Sequence, residues 1–193
     1  MTVQTGPGAF RRQAEPAQSI GYFGLLAEDY RSYKERLLAQ GFWAIRIHRF
    51  GTMARHVRFA PLRIVLKIIH RIFSKLSQIF FGIYIGANAQ VGRRCIIEHF
   101  GEIIVHSEAV IGDDVRLRQG VTIGNRSEEA PLDVPVIGNR VNIGAGAKIL
   151  GPISIGDDVD IGANAVVLTD VPSGSIAVGV PARIKPKKPK QTG

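Results

Sequence analysis

Ile137-Gly-Asn-Arg-Val-Asn-Ile143-Gly-Ala-Gly-Ala-Lys-Ile149 carries an aliphatic residue at every sixth position. The same beat runs outward in both directions. Towards the N-terminus it passes Ile123, Leu117, Ile111 and Val105, then Ile97, Val91 and Ile85. Towards the C-terminus it passes Ile155, Ile161 and Val167. Gly often follows directly, as at Gly86, Gly92, Gly112, Gly138, Gly144 and Gly156. Four places after eleven of these thirteen aliphatics stands a small or branched apolar residue, such as Ala89, Cys95, Val115, Ala147, Ala165 and Val171. A period of six matches neither an amphipathic helix nor the strict alternation of a half-buried strand. It matches a solenoid of very short strands with a turn every six residues. The aliphatic and its small partner then point inward and stack coil on coil, and three sixes close one triangular coil. The Gly is expected to supply the permissive backbone of each corner.

The beat breaks twice, between Ile97 and Val105 and between Ile123 and Ile137, each time by two residues beyond a multiple of six. The first break holds Glu98-His99-Phe100-Gly101-Glu102. An insertion beside a strand re-aims side chains, and a histidine there suits general-base work because its ordinary pKa lies near neutrality. The second break, Asn125 to Pro135, is polar with two prolines and reads as a projecting loop.

The rest of the chain bounds the partners. The net charge of +9 is uneven: the first 80 residues hold thirteen Lys and Arg against four Asp and Glu, and the remainder holds twelve of each. Such an excess attracts anionic surfaces, but no basic-plus-aromatic pattern of a nucleic-acid module accompanies it. The one cysteine, Cys95, excludes an internal disulfide framework and fits the repeat as an inward small residue. No signal peptide and no membrane-spanning run is read. Residues 1–19 read as a flexible tail, 20–80 as a helical region, 81–184 as the solenoid and 185–193 as a basic tail. Three helices are expected: Tyr22 to Ala39 with Phe23, Leu26, Tyr30, Tyr33 and Leu37 near one face, Phe42 to Arg58, and one from Pro61 to about Phe80. The third is basic and amphipathic. It can lie on a membrane surface or pack against the solenoid base or a sister subunit, and its wide apolar face favours packing. His48, His56 and His70 lack metal-ligand spacing and read as helix-surface residues.

Three phrases, Gly120-Val-Thr-Ile-Gly124, Ile143-Gly-Ala-Gly-Ala-Lys-Ile-Leu-Gly151 and Val178-Gly-Val-Pro-Ala-Arg183, together with the hexads and both breaks, resemble the serine O-acetyltransferase family over residues 82–184. Arg116-Leu-Arg-Gln-Gly-Val-Thr-Ile-Gly-Asn-Arg126 is also similar to the colanic-acid-type branch of polysaccharide biosynthesis. The resemblance implies a mainly β chain, a left-handed parallel β-helix preceded by a short helical region. It implies a cytoplasmic homotrimer that acetylates a hydroxyl with acetyl-CoA at sites between subunits, and no metal. It places His99 on the family's catalytic histidine, with Glu98 where the family has Asp. It places Ala145 and Ala163 where the coil backbone meets the CoA arm, and by charge it makes Lys148, Arg183 and Lys185 candidates for the CoA phosphates.

Two departures bear on the acceptor. The family's histidine-orienting aspartate reads Tyr84 here, and a phenol cannot stabilise an imidazolium as a carboxylate does; Glu98 or Glu102 would have to substitute. The loop's Arg-His-Pro reads Asp133-Val134-Pro135, so a serine carboxylate would meet an anion where the family offers a cation. These departures favour a sugar hydroxyl over L-serine as the acceptor. A lipid-linked sugar would bring the helix of residues 61–80 to an anionic membrane face. The alternatives are a true serine O-acetyltransferase of cysteine biosynthesis and a non-catalytic β-helix scaffold. Carbonic anhydrases of this architecture need three histidines on a metal, and the solenoid offers only His99 and His106.

Overall fold

The computed structural model describes residues 20–33 and 36–187. The expected flexible tail of residues 1–19 lies outside the described residues. Helices α1 (Tyr22–Ser32), α2 (Gln40–Arg55) and α3 (Ala60–Phe81) precede a parallel β-solenoid of about five coils. Its strands form three faces. The first face stacks β1 (Ile83–Ile85), β4 (Ile103–Val105), β7 (Thr122–Gly124), β10 (Lys148–Leu150) and β13 (Val166–Val167). The second stacks β2 (Gln90–Val91), β5 (Val110–Ile111), β8 (Val136–Ile137) and β11 (Ser154–Ile155). The third stacks β3 (Ile96–Glu98), β6 (Arg116–Arg118), β9 (Asn142–Ile143), β12 (Asp160–Ile161) and β14 (Ser175–Val178), and ends in β15 (Arg183–Pro186), which runs antiparallel to β14.

The hexads build the core as their spacing demands. Every in-phase aliphatic from Ile97 to Val167 is buried, as are the small partners at Cys95, Ala109, Ala147 and Ala165. Val91 is only half-buried, because it sits in the first coil. The register shows what the two breaks are. Ile83 pairs with Ile103, twenty residues on; Ile104 pairs with Thr122, eighteen on; Thr122 pairs with Lys148, twenty-six on. The first break therefore adds two residues at one corner, and the second adds eight at another without adding a side to the prism. A third irregularity was not visible in the aliphatic beat. Ile155 bridges Val171, sixteen on, so the last coil is two residues short and Val171 takes the aliphatic's own place.

The glycines do a different job from the one expected. Gly86, Gly112, Gly138 and Gly144 keep ordinary backbone angles; a Cβ on Gly144 would stand 2.5 Å from the Ala163 nitrogen of the next coil. Close approach excludes the side chain there, and left-handed corners fall instead on Arg94, Asp114, Arg140, Asp158 and Asn164.

The helical region also departs from its pattern. α1 stops at Ser32, because Tyr33 leaves the helix to dock on the solenoid, where its hydroxyl accepts the Ile97 N–H at 2.8 Å. Phe23 is exposed, and Asp29 is buried in its place against Arg49 at 3.2 Å. Burial outweighs Arg49 and raises the Asp29 carboxyl above the usual range. Arg49 also donates to the carbonyls of Val91 and Gly92, at 2.5 Å each, and so ties α2 to the first coil. His48 is buried rather than on the surface, beside His70, Ser74 and Ser77. Burial pulls its pKa down to about 3, which keeps the ring neutral. α3 packs through a narrow, partly polar seam that includes Leu66, His70, Ser74 and Ser77, and its wide apolar face stays exposed. Among the described residues the expected packing of that face does not occur.

Candidate active site

The prism has three edges, and each is built from the residue two places after an in-phase aliphatic. Between the second and third faces these residues are Arg93, Asp113, Asn139 and Asp157. Each backbone N–H is capped by a side chain one coil on: Arg93 by Asp113 Oδ1 at 2.7 Å, Asp113 by Asn139 Oδ1 at 2.8 Å, Asn139 by Asp157 Oδ1 at 2.8 Å, and Asp157 by Ser173 Oγ at 3.0 Å. The adjacent residues pair by charge, Arg94 with Asp114 and Arg140 with Asp158. These guanidinium groups hold both carboxyls below their ordinary range.

Between the third and first faces the equivalent residues are His99, Gln119, Ala145 and Ala163. An alanine has no oxygen with which to cap its neighbour. Among the described residues the N–H groups of Gln119, Ala145 and Ala163 have no partner, while the carbonyls of Gln119 and Ala145 accept from Gly146 and Asn164, at 2.8 Å each. The edge is thus a row of unused donors over small side chains, a surface an extended ligand can lie against. His99 stands on this same edge. Its insertion is wound left-handed at His99 (φ +64°), Gly101 (φ +105°) and Glu102 (φ +55°), and rests against Gly82, where α3 ends. The His99 side chain is exposed, and no described residue hydrogen-bonds to it. At the strand spacing of a sheet, Ala145 and Ala163 lie roughly 10 and 15 Å from it along the stack.

The other expected residues are placed as follows. Glu98 lies on the third face, and its carboxylate is taken by Arg116 at 2.7 Å and by Arg118 at 3.2 Å. Tyr84 stands on the first face beside Ile104, and Glu102 is exposed without a described partner. Lys148 is braced across the first face, with its ammonium on the Gly120 carbonyl at 2.5 Å and on Thr122 Oγ1 at 3.1 Å. Arg183 and Lys185 are exposed on β15, which Lys187 pins to Asp160 at 2.9 Å. Asp133 is exposed in the loop that joins the first face to the second, on a different edge from His99; Val134 beside it is buried. Sequence reasoning missed the groove over Arg116, Arg118, Arg140 and Asn142, of about 400 Å³. The alternating Arg-Leu-Arg of β6 was its signal. Cys95 is fully buried, and burial pushes its thiol up to about 12, so it is no nucleophile. Among the described residues no group of three His, Cys, Asp or Glu side chains could hold a metal ion.

The bacterial transferase hexapeptide family (six repeats) matches residues 135–169. The chain is 42% identical over 147 residues to a serine acetyltransferase of Helicobacter pylori, covering 76% of this chain and 82% of that one. This chain belongs to the serine acetyltransferase family. It is also 36% identical to the serine acetyltransferase of Synechococcus elongatus, over 84% of this chain and 68% of that one. Its fold is similar to the serine acetyltransferase of Brucella abortus in complex with coenzyme A, with a TM-score of 0.76 and 30% identity over 87% of this chain and 69% of that one. The protein is accordingly an acyltransferase with acetyl-CoA as co-substrate.

Proposed function

We propose that the protein transfers the acetyl group of acetyl-CoA to the hydroxyl of L-serine, with His99 as general base. The observation that carries the reading is the placement of His99 on the same edge as the open backbone donors of Gln119, Ala145 and Ala163. Its imidazole takes the proton of the attacking hydroxyl as that oxygen bonds to the thioester carbonyl. Backbone N–H groups stabilise the tetrahedral oxyanion. Collapse breaks the carbon–sulfur bond, and the imidazolium returns its proton to the departing thiolate. Small side chains at Ala145 and Ala163 leave room for the donor, and Arg183 and Lys185 supply charge for its phosphates.

His99 and the Asn125–Pro135 loop lie on opposite edges of the first face. A site that uses both therefore draws them from two chains, which supports a homotrimer with sites between subunits. Cytoplasmic placement goes with an acetyl-CoA substrate; among the described residues no helix is long and apolar enough to cross a membrane.

The relatives weigh against the sugar acceptor favoured by the sequence, since those matched are serine acetyltransferases. The sugar remains a second reading on one observation. Asp133 stands exposed, and buried Val134 fills the place of the family's loop histidine. Acetyl-CoA consumption by wild type and His99→Ala, with L-serine and with a panel of nucleotide sugars, separates them. Turnover of serine that is lost with His99 is the expected result. Turnover of sugars alone sinks the serine assignment, and activity that survives His99→Ala sinks the base.

A further inference from the structure

Among the described residues the apolar face of α3 has no partner. Leu62, Val65, Ile68, Ile72, Ile79 and Phe80 fall on one arc of the helix and are between 47 and 70% exposed. A run of 22 residues at helical rise makes this stripe roughly 33 Å long, beyond the isolated apolar residues ordinary on a surface. Beside the stripe stand Lys67, Arg71 and Lys75, four residues apart and all exposed. No Asp or Glu occurs anywhere between Glu35 and Glu98. A wide apolar arc flanked only by cations is the chemistry of a helix lying in a bilayer interface. The apolar side chains enter the acyl boundary, while the Lys and Arg stems reach up to anionic headgroups.

We infer that α3 docks the protein on an anionic lipid bilayer surface, with the Leu62–Phe80 stripe buried and Lys67, Arg71 and Lys75 at the headgroups. The helix lies on the surface and does not cross it; Lys67, Arg71 and Lys75 interrupt it along its length. A second copy of the chain is the less favourable occupant. Two such helices face to face would bring their cations together with no carboxylate on either helix to offset them. The inference is independent of the acceptor, because the helix lies outside the edge that carries His99.

The test is co-sedimentation of the full chain with vesicles of equimolar phosphatidylglycerol and phosphatidylcholine, beside pure phosphatidylcholine vesicles. Wild type is expected to bind the anionic vesicles and to release at high salt. Ile68→Glu with Ile72→Glu should weaken binding at least about tenfold, by loss of apolar insertion. Lys67→Gln, Arg71→Gln and Lys75→Gln together should weaken it roughly a hundredfold on anionic vesicles, at about 1 kcal/mol per cation near the surface. These side chains face solvent, so helix content by circular dichroism and acetyl transfer should be unchanged, which shows the variants are folded. Wild type that ignores anionic vesicles overturns the inference, as does Ile68→Glu with Ile72→Glu binding as tightly as wild type. If wild type ignores vesicles and the same double variant dissociates an oligomer in sedimentation velocity, the face belongs to a second copy instead.

Discussion

Two edges of the same prism use the same backbone in opposite ways. Between the second and third faces, each turn N–H is closed by an Asp, Asn or Ser oxygen from the next coil. Between the third and first faces, alanines leave those N–H groups open, and His99 joins the row. The folds of the two edges are alike, so the difference lies in one side chain per coil. An oxygen at that place makes the edge a strut. A methyl group there makes it a place where something else can bind.

The comparison breaks most severely at His99. His99→Ala should lower kcat by roughly 10²- to 10⁴-fold with little change in thermal midpoint, because the side chain is exposed and no described residue depends on it. Next comes conversion of the open edge into a strut. Ala163→Asp places a carboxylate where it caps the Ala145 N–H, as Asn139 caps Asp113. It should raise the KM for acetyl-CoA about tenfold, the weight of one lost hydrogen bond and some crowding, and leave the melting temperature equal or higher. The reciprocal change opens the strut. Asn139→Ala strands the Asp113 N–H and should cost about 1–3 kcal/mol of stability in denaturant titration while acetyl transfer is unaffected.

The smallest effect is pH-dependent. Asp114 and Asp158 have carboxyls held below the ordinary range by Arg94 and Arg140. A carboxyl lowered in the folded state binds its proton more readily when unfolded. The stability it contributes is therefore complete above the ordinary carboxyl value and is lost as pH falls through the folded value. Acid unfolding curves of Arg94→Gln should be less steep below about pH 4, with a loss of about 1 kcal/mol or less at neutrality, since both partners are partly exposed. Coincident acid unfolding curves for variant and wild type would show that the charge pairs add nothing to this edge.

The core was legible because thirteen aliphatics and their partners all report one period. The insertion that holds His99 and the projecting loop were legible because they interrupt that period. The edge chemistry was not, because it rests on one residue per coil and its meaning appears only when coils stack. Asp113, Asn139 and Asp157 read as ordinary turn residues until each is seen to cap the coil before it. The glycines misled for a related reason. Their need comes from the neighbouring coil's backbone, as Gly144 against Ala163 shows, and not from their own torsion. His48 looked like a surface residue because the solenoid base that covers it is distant in sequence. The α3 stripe looked like core because its period is that of a packed helix; the seam α3 uses against α2 is narrow and partly polar.

Both terminal coils are closed by something that is not a hexad. At the start, Arg49 and Tyr33 occupy backbone groups of the first coil. At the end, β15 runs against the grain of the stack along β14. A parallel solenoid grows by adding another strand of the same direction, and a reversed strand is a poor template for that. β15 therefore acts as a stop for polymerisation. Without it the third face would offer β14 as a bare parallel edge to the next molecule, and the enzyme would have the makings of a fibre.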